Sequence, residues 1–434
     1  MARHAAHRAG EAERSLVWLR YGSREMRMDE TKDKPEVHNP HVIGLTGSFG
    51  SGCSFLGQHI LARKGYELMS LSKVLKGRFQ RATGKDPDKA TRKELQDFGD
   101  SERADPEKGV AVYANEAIAS ICAAGRPHAK WAIDSIRNPE EAKAFHAFTR
   151  RFFLFGIFAD SDVRWSRVRE RYGKDRNVFE EDDRRDTGRE SPPHGQRVED
   201  SFYFADVVLA NNRHFEAVGN DEFNAFAGRV GRYVDLVADP LKRQEPTPHE
   251  ALMAAAYSVS QRSSCRNRKV GAVIADGSGA IISSGYNEVP RGESPCAKKY
   301  LACFREKERA EFIIAVASAI PDLKGKEALL ESIFKERFRI LDLCRALHAE
   351  ENAILNLAKN TPAVPLSQCT LYTTTYPCRQ CANKIATTGI KNLIYVEPYP
   401  DQTGKLILSS AGVCEEFFEG VTFQAYFRIF GESR

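Results

Sequence analysis

The densest chemistry in this chain lies between His348 and Cys381. His348-Ala349-Glu350 is followed, after 26 residues, by Pro377-Cys378-Arg379-Gln380-Cys381. One imidazole and two thiolates are the three protein ligands of a catalytic zinc site, which leaves a fourth position for water. Residues at i and i+3 share a helix face, so Cys378 and Cys381 read as a pair. Glu350 is not needed as a ligand. A carboxylate beside such a site can take a proton from water and hand it to a ring nitrogen and a leaving amine, the acid-base work of a hydrolytic deamination. Half of a closed zinc ribbon is the competing reading of the two cysteines, but a ribbon has no use for the Glu350 spacing or for Pro377. The plain alternative for Glu350 is a solvated helix carboxylate, since Glu351 follows it.

A second constellation is Gly44-Leu45-Thr46-Gly47-Ser48-Phe49-Gly50-Ser51-Gly52-Cys53-Ser54. It is close to G-x-x-x-x-G-K-[ST], in which backbone N–H groups wrap phosphate, a lysine neutralises it and a hydroxyl holds magnesium. Gly47, Gly50, Gly52 and Ser54 suit a nucleoside triphosphate with Mg2+, and Asp134, in Trp131-Ala132-Ile133-Asp134, is the expected acidic residue near the metal. Cys53 stands where the lysine belongs. Binding is therefore expected and efficient phosphoryl transfer is not. Nine basic residues from Arg164 to Arg189 offer a substitute cation, or else form a solvated, salt-bridged helix with the acidic residues among them.

The elements that must position these residues follow from periodicity. Short apolar runs at His41 to Gly44, Lys130 to Asp134, Phe152 to Phe158 and Asp206 to Leu209 alternate with helical stretches, which predicts a parallel sheet covered on both faces. Asp239 to Pro248 carries three prolines and four charges and reads as a linker. Beyond it come a helix, Glu250 to Gln261, and two strands, Val270 to Ala275 and Ala280 to Tyr286, joined by a hairpin turn. Residues 1–38 read as a disordered extension, with Met28 an alternative start. The domain plan is thus 1–38, 39–238, a linker over 239–248, and 249–434. With 42% hydrophobic and 28% charged residues the 434-residue chain is globular, and it lacks an apolar run long enough to span a membrane. A net charge of +5, from 64 basic and 59 acidic residues, argues against a nucleic-acid coat. Seven of ten cysteines fall between Cys265 and Cys381, which points to metal binding in a reducing cytoplasm.

His-x-Glu with Pro-Cys-x-x-Cys is the signature of zinc nucleobase deaminases. Together with Ser263 to Ile274, Gly285-Tyr286-Asn287-Glu288-Val289-Pro290 and Gly389 to Tyr395, it resembles the deoxycytidylate deaminases over Glu250 to about Gly420. That resemblance implies a cytidine-deaminase-like α/β/α domain in which Glu350 is catalytic, His348, Cys378 and Cys381 hold Zn2+, and Asn287 holds the sugar. Ala349, Arg268 and Tyr395 join Asn287 as expected substrate contacts. Arg266, Arg268 and Lys269 could meet phosphate or lie on a solvated loop, and Tyr395 and Tyr399 could cover a base, with core packing open for Tyr395. Some members carry a second, structural zinc, for which Cys265 and Cys296 match and Cys303 and Cys344 could complete the set. The stretch from Cys303 to His348 is a long insert with helical Ala310 to Ser318 and Ala328 to Leu343, suited to an oligomer contact or a gate.

Residues 41 to about 215 resemble P-loop NTPases of the nucleotide-kinase kind. The two halves in this order are similar to the antiphage deoxycytidylate deaminases of bacteria. This implies conversion of dCTP, dCMP or both, a homo-oligomer, and control by an RNA or a phage-derived trigger. A housekeeping dCMP deaminase and a polynucleotide-editing deaminase are the alternatives.

Overall fold

The computed structural model describes residues 39–187, 194–213, 218–239, 244–337, 344–359, 364–397 and 402–431. The expected disordered extension 1–38, Tyr399, Arg189 and part of the expected linker lie outside them. The described residues form a compact unit built on two sheets.

The first sheet contains β1 (His41–Thr46), β2 (Tyr66–Ser70), β3 (Lys130–Ile136), β4 (Phe152–Phe158) and β5 (Val207–Ala210). They pair in parallel in the order β5-β4-β1-β3-β2. β1 is buried along its whole length and β4 nearly so, the pattern of central parallel strands covered on both faces. β2 was not expected. Only Tyr66 of its five residues is buried, so it gives no strong periodicity.

The second sheet contains β6 (Gly271–Ala275), β7 (Ile281–Tyr286), β8 (Thr370–Thr375), β9 (Asn392–Glu397) and β10 (Cys414–Phe417), in the order β10-β9-β8-β6-β7. β6 and β7 form the expected antiparallel hairpin, and the Asp276 carboxylate closes its turn by accepting the N–H groups of Ser278 and Ala280. β8 runs antiparallel to β6 and parallel to β9.

A short strand, β11 (Gly420–Val421), leaves the second sheet and pairs antiparallel with β5 at the edge of the first. Around this crossing Arg428 meets Asp206 at 2.7 Å, the Glu250 carboxylate accepts the Val421 N–H at 2.9 Å, and Phe158 stacks on Phe417 at 4.3 Å. One hydrophobic cluster runs from Val42, Phe152 and Leu154 through Met253 and Tyr257 to Val273, Tyr372 and Ile394, so the two sheets share a core. No described helix is long and apolar enough to cross a membrane.

Candidate active site

The helix Ala349–Leu357 begins at His348, which takes the extended N-cap conformation with φ −75° and ψ 162°. The Glu351 carboxylate caps this end, accepting the His348 N–H at 3.4 Å, and also pairs with Lys384 at 3.0 Å. β7 holds the helix in place. Asn352 and Asn356 donate to the carbonyls of Tyr286 and Ser284, both at 2.8 Å, and Ser283 donates to the Ala353 carbonyl at 2.6 Å. Gly285 lets strand and helix touch, since a Cβ there would lie 2.3 Å from the Ala349 carbonyl oxygen.

β8 delivers the cysteines. It ends at Thr375, and the chain turns through Tyr376 and Pro377 into the helix Arg379–Thr388, with Cys378 at its N-cap and Cys381 on its first turn. The two sulfurs lie 3.4 Å and 3.3 Å from the same imidazole atom, His348 Nδ1. Among the described residues this is the one group of three donors whose ligand atoms all fall within 4.8 Å of one another. The sulfurs sit where two helices begin, and exposed backbone N–H groups at such positions favour thiolate. Hydrogen bonding from Cys381 and then from His348 draws the Cys378 thiol down, against burial. A nitrogen and two soft sulfurs, buried and convergent, fit zinc with an open fourth position.

Glu350 points at the same spot. It is 4% exposed, and its Oε2 lies 3.8 Å from the Cys381 sulfur. Burial pushes its carboxyl up to about 7, with His348 the chief opposing influence. An acid poised near neutrality suits both acceptance and return of a proton.

The cluster opens into a cavity of about 300 Å3 that also reaches Ala349, Asn287, Arg268 and the thiols of Cys265, Cys296, Cys303 and Cys344. Asn287 stands in its wall with its amide engaged: Oδ1 accepts the Val270 N–H at 2.8 Å and Nδ2 donates to the Arg268 carbonyl at 2.9 Å. Asn287 thus fixes the backbone that carries Arg268, and one N–H and one lone pair remain for a ligand. The Arg268 guanidinium pairs with Glu397, which also accepts the Thr375 hydroxyl.

Tyr395 lies outside the cavity. It packs edge-on against Tyr376 at 4.8 Å, and Tyr376, with Phe304, lines the wall. Sequence reasoning missed Tyr376 and Glu397. The signal for Tyr376 was its place directly before Pro377-Cys378. Glu397, 22 residues after Thr375, has no local signal. The four other cysteines line the same cavity, and burial followed by Cys265, Cys303 and Cys296 pushes the Cys344 thiol up, but no three of their sulfurs fall within 4.8 Å of one another.

In the first sheet, the turn after β1 holds Gly50 and Gly52 at φ +83° and +102°. Gly47 has no room for a side chain, since a Cβ would lie 2.4 Å from the Ile157 carbonyl oxygen. Ser54 donates to Asp134 at 2.6 Å, which brings the expected hydroxyl and carboxylate together. Burial, then Asp134, pushes the Cys53 thiol up to about 12, so it contributes no charge. The cations at the turn are Arg167, which donates to the Gly50 and Ser51 carbonyls at 3.1 and 3.4 Å, and three ion-paired arginines: Arg164 from the same basic segment, and Arg137 and Arg92 from outside it.

Residues 246–397 match the family model "Cytidine and deoxycytidylate deaminase zinc-binding region". The deoxycytidylate deaminase of Enterobacteria phage T4 is 37% identical over 155 residues, covering 33% of this chain and 75% of that protein. The Schizosaccharomyces pombe enzyme is 31% identical over 172 residues, covering 39% of this chain and 44% of its own length. The human enzyme is 30% identical over 169 residues, covering 38% of this chain and 75% of its own. Among solved structures, the cyanophage S-TIM5 dCMP deaminase in complex with dCMP and dUMP aligns at 25% identity over 40% of this chain and 99% of that one, with a TM-score of 0.28. The matched region contains the histidine, the glutamate and both cysteines at one cavity, and through it the chain belongs to the deoxycytidylate deaminase family, zinc-dependent hydrolases that deaminate cytidine nucleotides.

Proposed function

We propose that the protein converts dCMP, dCTP or both into deoxyuridine nucleotides. The observation that carries this reading is the buried Glu350 carboxylate 3.8 Å from Cys381, beside the three-donor cluster and lining one cavity with Asn287 and Arg268. His348, Cys378 and Cys381 hold zinc, which when bound supplies the Lewis acidity that makes water a nucleophile at neutral pH. Glu350 takes a proton from the water that adds to the amine-bearing ring carbon. The new C–O bond replaces the C–N bond, and Glu350 returns the proton so that ammonia leaves. Ala349, fully buried on the first helical turn, closes the cavity beside the base. Arg268 at the mouth suits the phosphate end of the substrate.

Ammonia release from dCMP, dCTP, CMP and CTP, each supplied separately, tests this. Turnover of a deoxycytidine nucleotide is the expected result. Silence on all four, with turnover of single-stranded polynucleotide, would overturn it in favour of an editing enzyme.

The first sheet is read as a P-loop NTPase-like module that binds a nucleoside triphosphate with Mg2+ and regulates the deaminase. Its strand order, the glycine turn and the Ser54–Asp134 pair support this. The resemblance to antiphage deaminases supports a role in depletion of the dCTP pool, in a homo-oligomer under RNA or phage control. Housekeeping supply of dUMP shares the chemistry, and infection-dependent loss of dCTP in cells separates the two.

Cys265, Cys296, Cys303 and Cys344, which line the cavity without converging as the first cluster does, are read as a second, structural zinc site that closes on the metal. Two zinc ions per chain are expected by elemental analysis, falling to one in Cys296→Ser. A single zinc in the unaltered protein would refute the second site.

A further inference from the structure

The helix Arg176–Thr187 lies against the glycine turn of the first sheet and feeds carboxylates into it. Asp186 has no exposed surface. It accepts the Phe49 N–H at 3.0 Å, pairs with Arg137, and faces Arg92 at 3.8 Å. Asp183 receives both ends of the Arg164 guanidinium, at 2.5 and 2.8 Å, and Arg164 also donates to the Phe49 carbonyl at 3.2 Å. Asp182 accepts the Tyr172 hydroxyl at 2.9 Å and meets Arg92 at 3.2 Å, while Arg92 lies over the Phe49 ring at 4.1 Å. Three carboxylates of a single helix therefore hold three of the guanidiniums around the turn, and the fourth, Arg167, donates to the Gly50 and Ser51 carbonyls.

A carboxylate and a phosphoryl group offer oxygen acceptors of similar geometry to an N–H and a guanidinium fork. The turn has no lysine, and Cys53 is a neutral thiol. An anion arriving there meets Arg137, Arg92 and the Phe49 N–H, the groups Asp186 already holds, beside Arg167, whose guanidinium is engaged by the Gly50, Ser51 and Asn211 carbonyls. We propose that Asp186 sits in the seat of a phosphoryl group, and that a polyphosphate ligand binds this turn by displacing Asp186 and releasing the helix Arg176–Thr187. The proposal rests on the nucleotide-binding reading of the first sheet and adds the built-in competitor. Ligand affinity is then reduced by the fraction of molecules in which Asp186 is seated. Occupancy of the turn also becomes a change in the order of a 12-residue helix.

Inorganic tripolyphosphate is the probe, titrated calorimetrically into the full chain and into Asp186→Asn. If the seated state outweighs the open one by tenfold, the variant binds about tenfold tighter. Arg137→Gln in the same background abolishes the gain. Equal affinity in the unaltered protein and Asp186→Asn overturns the proposal and leaves the nucleotide-binding reading intact. Absence of binding of either tripolyphosphate or ATP to both proteins overturns that reading and the proposal with it. Asp186→Asn also leaves buried guanidiniums without a partner, so a second measurement needs no variant. In the unaltered protein at saturating tripolyphosphate, amides of residues 176–187 exchange hydrogen faster than in its absence. Unchanged or slower exchange there, with the ligand bound, refutes displacement.

Discussion

Glu350→Ala retains zinc and loses deamination by about 10²–10⁴-fold, the contribution usual for a positioned acid-base group. The zinc survives because Glu350 is not among the three convergent donors. The activity does not, because among the described residues Glu350 is the carboxylate that meets the cluster. Glu351, its neighbour in sequence, is committed to the His348 N–H and to Lys384. Glu351→Gln is therefore the informative control. It removes the ion pair with Lys384 while the amide oxygen still accepts the His348 N–H, and it lowers stability by at most about 1 kcal/mol with turnover largely kept. Zinc content and ammonia release on the same preparations distinguish the outcomes. Full turnover in Glu350→Ala would refute the assignment, whereas loss of zinc along with activity would move Glu350 into the ligand set. Glu350→Gln keeps shape and volume while removing the base, so equal loss in both variants excludes a packing explanation.

Cys381→Ser has the other large effect. Cys381 is fully buried on the first turn of its helix, with its sulfur 3.3 Å from His348 Nδ1. Serine nearly conserves the volume but exchanges a soft thiolate for a hydroxyl that stays protonated near neutral pH. Loss of a partner outside the ligand set typically costs about 10–100-fold in metal affinity, and loss of a direct ligand exceeds that. The expected result is one zinc fewer per chain, no measurable deamination, and a lower unfolding temperature, because zinc binding adds to folding free energy. Elemental analysis and thermal unfolding, each with and without added zinc, are the measurements. A variant that keeps its zinc through chelator treatment would place the metal elsewhere.

The ligand cluster was legible because each of its parts is local. His348 and Glu350 share one helical start, Cys378 and Cys381 another, and a spacing of two or three residues fixes which atoms can converge. The β6–β7 hairpin and the central strands were legible for the same reason, since a turn or a buried run announces itself within ten residues. Contacts between distant segments were not. Asn287 read as a sugar ligand, but its amide also ties down residues 268–270 across the hairpin. A substitute for the missing lysine was sought in the Arg164 to Arg189 segment, and Arg167 of that segment does reach the Gly50 and Ser51 carbonyls, whereas Arg164 is held by Asp183 and Arg137 reaches Asp186 from beyond β3. Charge runs show how many cations a segment carries; they do not show which of them an acidic helix has already claimed.

The β11 crossing sets the order in which this molecule can mature on the ribosome. Thr422 donates to the Ala205 carbonyl across 217 residues of chain, so the edge of the first sheet waits for a segment made long after β5. At about 5–20 residues per second that interval is roughly 10–45 s. During it the β5 edge and buried Asp206 lack the strand and the arginine that later cover them. Such an edge is the kind of surface on which nascent chains pair wrongly. Arrested chains ending before Gly420 are expected to be cut readily by protease near β5, and longer chains to resist.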